Sequence, residues 1–109
     1  MTAKPSGDQY VLMLNALANP IRLRILAALS ADKLYVSELA RELRMSRPLL
    51  HMHLQKLESA GLIIGHHEVS SDGKALRYYQ VAPFHEELSP QRISEIVKSL
   101  TINEMGKER

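Results

Sequence analysis

The chain contains no cysteine and no tryptophan, and a single phenylalanine. Without thiols, disulfides, iron–sulfur clusters, thiolate zinc sites and cysteine nucleophiles are all excluded. A metal would have to be held by the five histidines and twelve carboxylates. No run of about 18 apolar residues occurs, and no charged-then-apolar leader ending in small residues is visible. Neither a membrane span nor a secretory signal is therefore expected, and the expected location is the cytoplasm. A glycine-rich phosphate loop, a nucleophile elbow and a metal-spaced histidine pair are also missing. His51 and His53, two apart, face different directions on a helix and do not make a site. No enzyme and no cofactor are expected. Charge of one sign barely predominates: the formal net charge is +2 and the isoelectric point about 9.0, compatible with a nucleic-acid partner without demanding one.

What is present is 109 residues, 45% apolar and 24% charged, the size and balance of one folded domain. Met1 to Asp8 holds Pro5, Ser6 and Gly7 without periodicity and reads as a disordered lead-in. From Gln9 to Asn19, Tyr10, Val11, Leu14, Leu17 and Ala18 recur at helical spacing, and Leu12 and Met13 widen the face beyond what one interface needs. The extra apolar surface suggests a partner subunit. Asn19-Pro20 reads as an N-cap with proline at the first helical position. The helix behind it, Ile21 to Leu29, is apolar except for Arg22 and Arg24. Ser37 caps a further helix, Glu38 to Leu43, that buries Leu39, Ala40 and Leu43.

After Arg44 and Met45, Ser46 caps a third helix, over about 46–60, with Leu50, Leu54 and Leu57 on one face and Gly61 at its C′ position. Two short helices joined by so brief a turn form a helix-turn-helix. Leu62 to Val69 and Lys74 to Val81 are rich in β-formers and flank Ser70-Ser71-Asp72-Gly73, so 62–82 reads as a hairpin. Tyr78 and Tyr79 then point to opposite faces, with Tyr79 the core residue. Ser89 and Pro90 start a last helix carrying Ile93, Ile96, Val97 and Leu100 as a narrow stripe, opposite Arg92, Ser94, Glu95 and Lys98. Residues 103–109 read as a frayed tail. The fold class is mainly α with a β-hairpin wing, one domain over 9–102.

The strings ALANPIRLRIL (Ala16 to Leu26), VSELARELRMS (Val36 to Ser46), HMHLQKLESAGLI (His51 to Ile63) and RYYQV (Arg77 to Val81) resemble the ArsR-type winged-helix transcriptional repressors. The resemblance implies a homodimer in which the first and last helices pair across a two-fold axis. Tyr10, Val11, Leu14 and Leu17 would meet Ile93, Ile96, Val97 and Leu100 there. Two recognition helices would then enter successive major grooves roughly 34 Å apart and read an inverted repeat. In thiolate-sensing members a Cys-x-Cys pair occupies the positions held here by Tyr35 and Ser37. Members that bind zinc or nickel use histidines and acids on the last helix, which here offers Glu95 alone. Metal sensing by either route is not expected.

With Leu50, Leu54 and Leu57 turned inward, the third helix exposes Pro48, His51, Met52 and Gln55, and Arg47 projects from its first turn. Arg47 suits guanine, Gln55 adenine, and His51 a base or a phosphate. Ser46 and the helix N-terminus suit a phosphate. Lys74, Arg77 and the wing tip can reach the duplex backbone, with Asp72 serving turn chemistry; Arg41 and Arg44 can add phosphate contacts. Val36 to Gly61 nevertheless carries a net charge of only +1. His53 reads as a partly buried ring bonded to backbone, and His66 and His67, adjacent on a strand, face opposite ways. The leading expectation is a dimeric, sequence-specific regulator of double-stranded DNA. The alternative is a winged-helix module for protein contacts, which the fold alone does not separate from it. No residue names an effector.

Overall fold

The structure, a computed structural model, describes residues 5–101. Residues 1–4 of the expected lead and the whole expected tail lie outside that range. The order of elements is α1 (Gly7–Leu17), α2 (Pro20–Ala31), β1 (Leu34–Tyr35), α3 (Val36–Leu43), α4 (Arg47–Ser59), β2 (Ile63–Val69), β3 (Ala75–Val81), α5 (Pro90–Ile96) and a 3₁₀ turn (Val97–Ser99).

Helix α1 begins two residues ahead of the expected start. Ser6 Oγ accepts from Gln9 N at 3.2 Å while Ser6 N donates to Gln9 Oε1 at 2.8 Å, a capping box. Gly7 and Asp8, read from the sequence as lead-in, are therefore helical. At Asn19 the chain turns through 94° into α2. The Asn19 side chain accepts from Ile21 N and Arg22 N, the cap that the Asn-Pro pair predicts.

The sequence reading contains no strand before α3, yet Leu34 and Tyr35 pair antiparallel with Tyr79 and Tyr78. Helix α3 consequently starts at Val36, two positions earlier than a Ser37 cap would put it. Glu38 Oε1 accepts from Tyr35 N at 2.8 Å, and Ser37 is exposed. Arg44 ends α3 in the left-handed region, φ 55°. Ser46 then caps α4 through Leu49 N. Gly61 follows at φ 76°, with Gly61 N on Glu58 O and Leu62 N on Leu57 O, the two bonds of a Schellman ending.

Strands β2 and β3 run in continuous register from Ile63↔Val81 to Val69↔Ala75, with β3 central in the order β1-β3-β2. Ser70 to Gly73 closes the hairpin, Gly73 at φ 87°. The core lies where α2, α3 and α4 meet the sheet: Ile25, Leu39, Leu50, Leu54, Leu57, Leu62 and Tyr79 are buried. Each such side chain contributes about 1.5–3 kcal/mol by leaving water. Tyr79 faces inward and Tyr78 stays half-buried on the other side, as the alternation predicts.

The C-terminal helix departs most from expectation. It ends at Ile96, and Leu100 is already extended beyond the 3₁₀ turn. Arg92, expected on the polar side, is instead buried: its guanidinium lies 5.4 Å from the Tyr10 ring centre and meets Glu86 at 3.3 Å and Glu95 at 3.2 Å. A guanidinium compensated by two carboxylates and an aromatic face can be buried where a lone one cannot.

Candidate nucleic-acid interface

Helix α4 turns Leu50, His53, Leu54 and Leu57 into the core and leaves Arg47, Pro48, His51, Met52 and Gln55 exposed. The exposed set is the one the helical spacing predicts. The structure divides it between two sides. Arg47, Pro48 and His51 face a cleft whose opposite walls are Tyr35, Val36 and Ser37 of the β1–α3 junction and Ala75, Leu76 and Arg77 of β3. Met52 and Gln55 instead border a groove that also contains Leu12 and Asn15 of α1 and Arg22 of α2. Ser46 is exposed at the α4 N-terminus with its oxygen engaged in the cap, and Arg44 is exposed on the turn before it.

At the wing, Lys74 is exposed beside the tip. Asp72 accepts from Lys74 N at 3.3 Å and from the Ser70 hydroxyl, and these bonds hold its carboxyl below the usual carboxylate range. Its part is the turn, as expected. Arg77 differs from Lys74. It is half-buried, with Nη2 3.4 Å from Glu58 Oε1 and its guanidinium 5.1 Å from the Tyr79 ring centre.

His53 is 6% exposed, but its partner is a side chain rather than the expected backbone: Nδ1 accepts from Arg22 Nε at 3.3 Å. Burial, and then the neighbouring guanidinium, pushes the imidazole pKa down from its ordinary value. The same arginine donates through Nη1 to Asn15 O and Ala16 O, both at 3.3 Å, at the C-terminal end of α1. Arg22, legible in the sequence only as an interruption of an apolar helix, thus ties α1 to α4. On the far side of the sheet His66 stacks on Tyr78 with 4.9 Å between ring centres, and His67 is exposed on the other face. Tyr35 donates its hydroxyl to Glu68, which raises the phenol's pKa. Among the described residues no three histidine, aspartate or glutamate side chains come together as a metal-holding group.

The residues expected at a subunit contact separate as well. Val11, Ile93 and Val97 are 40%, 44% and 54% exposed, and Leu12, which borders the groove with Met52 and Gln55, is 46% exposed. Leu14, Leu17 and Leu100 are half-buried. Tyr10 and Ile96 are buried within their own chain, Tyr10 donating its hydroxyl to Glu87 O at 2.5 Å. Those two shape the surface from beneath rather than forming it.

The sequence pattern described as "Bacterial regulatory protein, arsR family" matches residues 19–64, the span from the α2 cap to the start of the wing. An uncharacterized HTH-type transcriptional regulator of Methanocaldococcus jannaschii is 39% identical over 94 residues, 86% of this chain and 94% of that one. The chain belongs to the ArsR family of transcriptional regulators. Its fold agrees with solved structures. Reduced HlyU from Vibrio cholerae N16961 superposes with a TM-score of 0.60 at 28% identity, covering 84% of each chain. The homodimeric winged helix-turn-helix DNA-binding domain of a Mycobacterium bovis protein, solved by NMR, gives 0.59 at 23% identity, covering 90% of this chain and 84% of that one. In this ArsR-family chain the winged helix-turn-helix comprises α3, α4 and the β2–β3 wing, with β1 joining the base of α3 to the sheet.

Proposed function

We propose that this ArsR-family protein is a cytoplasmic homodimer that represses transcription by reading an inverted-repeat operator, without a thiolate metal sensor. The observation that carries the reading is the exposed α4 surface, where Arg47 and His51 stand clear of the core near the capped helix N-terminus and Gln55 is exposed further along the helix. Arg47 supplies a bidentate donor for guanine, Gln55 a donor–acceptor pair for adenine, and His51 a base or phosphate contact. Pro48 and Met52 add apolar contact; Ser46, Arg44 and Lys74 supply phosphate contacts. Exposed Val11, Ile93 and Val97 favour pairing through α1 and α5, and the Mycobacterium bovis relative is homodimeric. Tyr35 and Ser37 offer no soft ligand at the thiolate-sensing positions.

Selection of bound sequences from a random duplex library, at near-physiological salt, tests the reading. Enrichment of an inverted repeat with half-sites about 10 bp apart is the expected result. Salt-sensitive binding without enrichment rejects the sequence-reading part, and no binding at any salt rejects the whole.

A further inference from the structure

We infer that Glu58 gates Arg77, keeping its guanidinium off DNA phosphates and so limiting how strongly the protein binds DNA without regard to sequence. The inference rests on the α4 and wing surface being the DNA-binding one. Three observations carry it. Arg77 borders the cleft that contains Arg47 and His51, so it stands at the candidate interface. Its Nη2 is nevertheless 3.4 Å from Glu58 Oε1, with the two side chains 35% and 39% exposed, accessible to a competing anion. The site is also shaped for this pair: a Cβ at Gly65 would lie 3.1 Å from Glu58 Oε2 and 2.9 Å from Tyr79 Cε1, so the bare glycine leaves room for the carboxylate under the guanidinium. Tyr79, fully buried, backs the guanidinium from the other side.

Among the described residues Arg47 and Lys74 form no ion pair, whereas Arg77 does. The difference matters because phosphate binding gains from releasing condensed counterions, about 0.9 per neutralised phosphate on a log–log salt plot. A guanidinium already neutralised by Glu58 gains little from exchanging one anion for another. The exchange also leaves a bare carboxylate facing the duplex. Exposed pairs of this kind are weak, so the contacts that hold the wing against a matched site suffice to open the gate. Random sequence does not supply those contacts; a matched half-site does. Glu58 on this reading is a specificity-determining residue that touches no DNA.

The test measures affinity for a random-sequence duplex across salt concentrations for the wild type, Glu58→Gln, Arg77→Gln and the double variant, each checked for an unchanged melting transition. Glu58→Gln is expected to steepen the salt slope by about 0.9, so that its affinity falls about 3.5-fold further than the wild type's between 50 and 200 mM salt. The double variant returns to the wild-type slope, and Arg77→Gln alone leaves the slope unchanged. An unaltered slope in Glu58→Gln, a steep slope that persists in the double variant, or a shallower slope in Arg77→Gln overturns the gate. A wild type that binds no duplex at any salt instead rejects the underlying DNA-binding reading.

Discussion

From α2 to the end of α4, the bonds that start and stop elements link residues two to five positions apart: Asn19 to Ile21 and Arg22, Glu38 to Tyr35, Ser46 to Leu49, Leu62 to Leu57. The bonds that dock α1 against the C-terminal segment span 77 to 93 positions: Tyr10 Oη to Glu87 O, Gly7 N to Ser99 Oγ, Thr101 N to Asp8 Oδ1. The first region is assembled by short-range chemistry that any window of the sequence displays. The second is assembled by contacts that no window contains. The proposed function divides the same way, since the local region presents the candidate DNA face and the long-range one leaves Val11, Ile93 and Val97 exposed for the proposed subunit contact.

Removing Arg92 should break the second region hardest. Arg92→Ala leaves Glu86 without its buried partner and uncovers Tyr10, at a cost of about 3 kcal/mol. Chemical denaturation should show this loss. A cost within experimental error would mean that α5 is not docked through Arg92. Gly7→Ala attacks the same junction from the α1 side, where a Cβ would come within 2.2 Å of Ile96 O. Backbone has to shift, and about 1–3 kcal/mol should disappear from the same measurement.

Substitution on the DNA face should behave in the opposite way. Arg47→Ala touches no core residue, so its melting transition stays put while affinity for the selected operator weakens by about 1–3 kcal/mol and specificity relaxes at one position. An unchanged binding isotherm would remove α4 as the reader. The smallest effect is the pH dependence of the Arg22–His53 link, which joins α2 to α4 within the first region. The folded imidazole titrates below the unfolded value of 6.5, so the unfolded chain takes the proton first. The stabilisation is complete above that value and is lost as pH falls from it through the folded pKa. A series of melting temperatures should fall over that interval, and His53→Gln should flatten the fall.

Legibility followed the same division. The Asn19 and Ser46 caps, the α4 leucine stripe, the Gly61 ending and the Asp-Gly hairpin are local signals, and each appears in the structure where the spacing places it. The exposed set on α4 followed from that stripe. The Ser6-x-x-Gln9 capping box was also readable, being a known start signal four residues long, but the proline and glycine around it resemble a flexible lead. Strand β1 was not readable: two residues have no period, and Leu34 and Tyr35 become a strand only because β3 offers them partners. Nor was buried Arg92, because a cation on a helix reads as solvated until Glu86 and Tyr10 are known to surround it. The pairing of Arg77 with Glu58, nineteen positions away, was hidden for the same reason.

On the proposed function, one region reads DNA while the other pairs subunits. Sedimentation of the protein on the selected duplex, for the wild type and for the double variant Val11→Glu/Val97→Glu, addresses both halves at once. Two wild-type chains per inverted repeat are expected, and a folded, monomeric variant that has lost the complex. One wild-type chain per duplex, or a variant that still binds in pairs with full affinity, would contradict the proposed function.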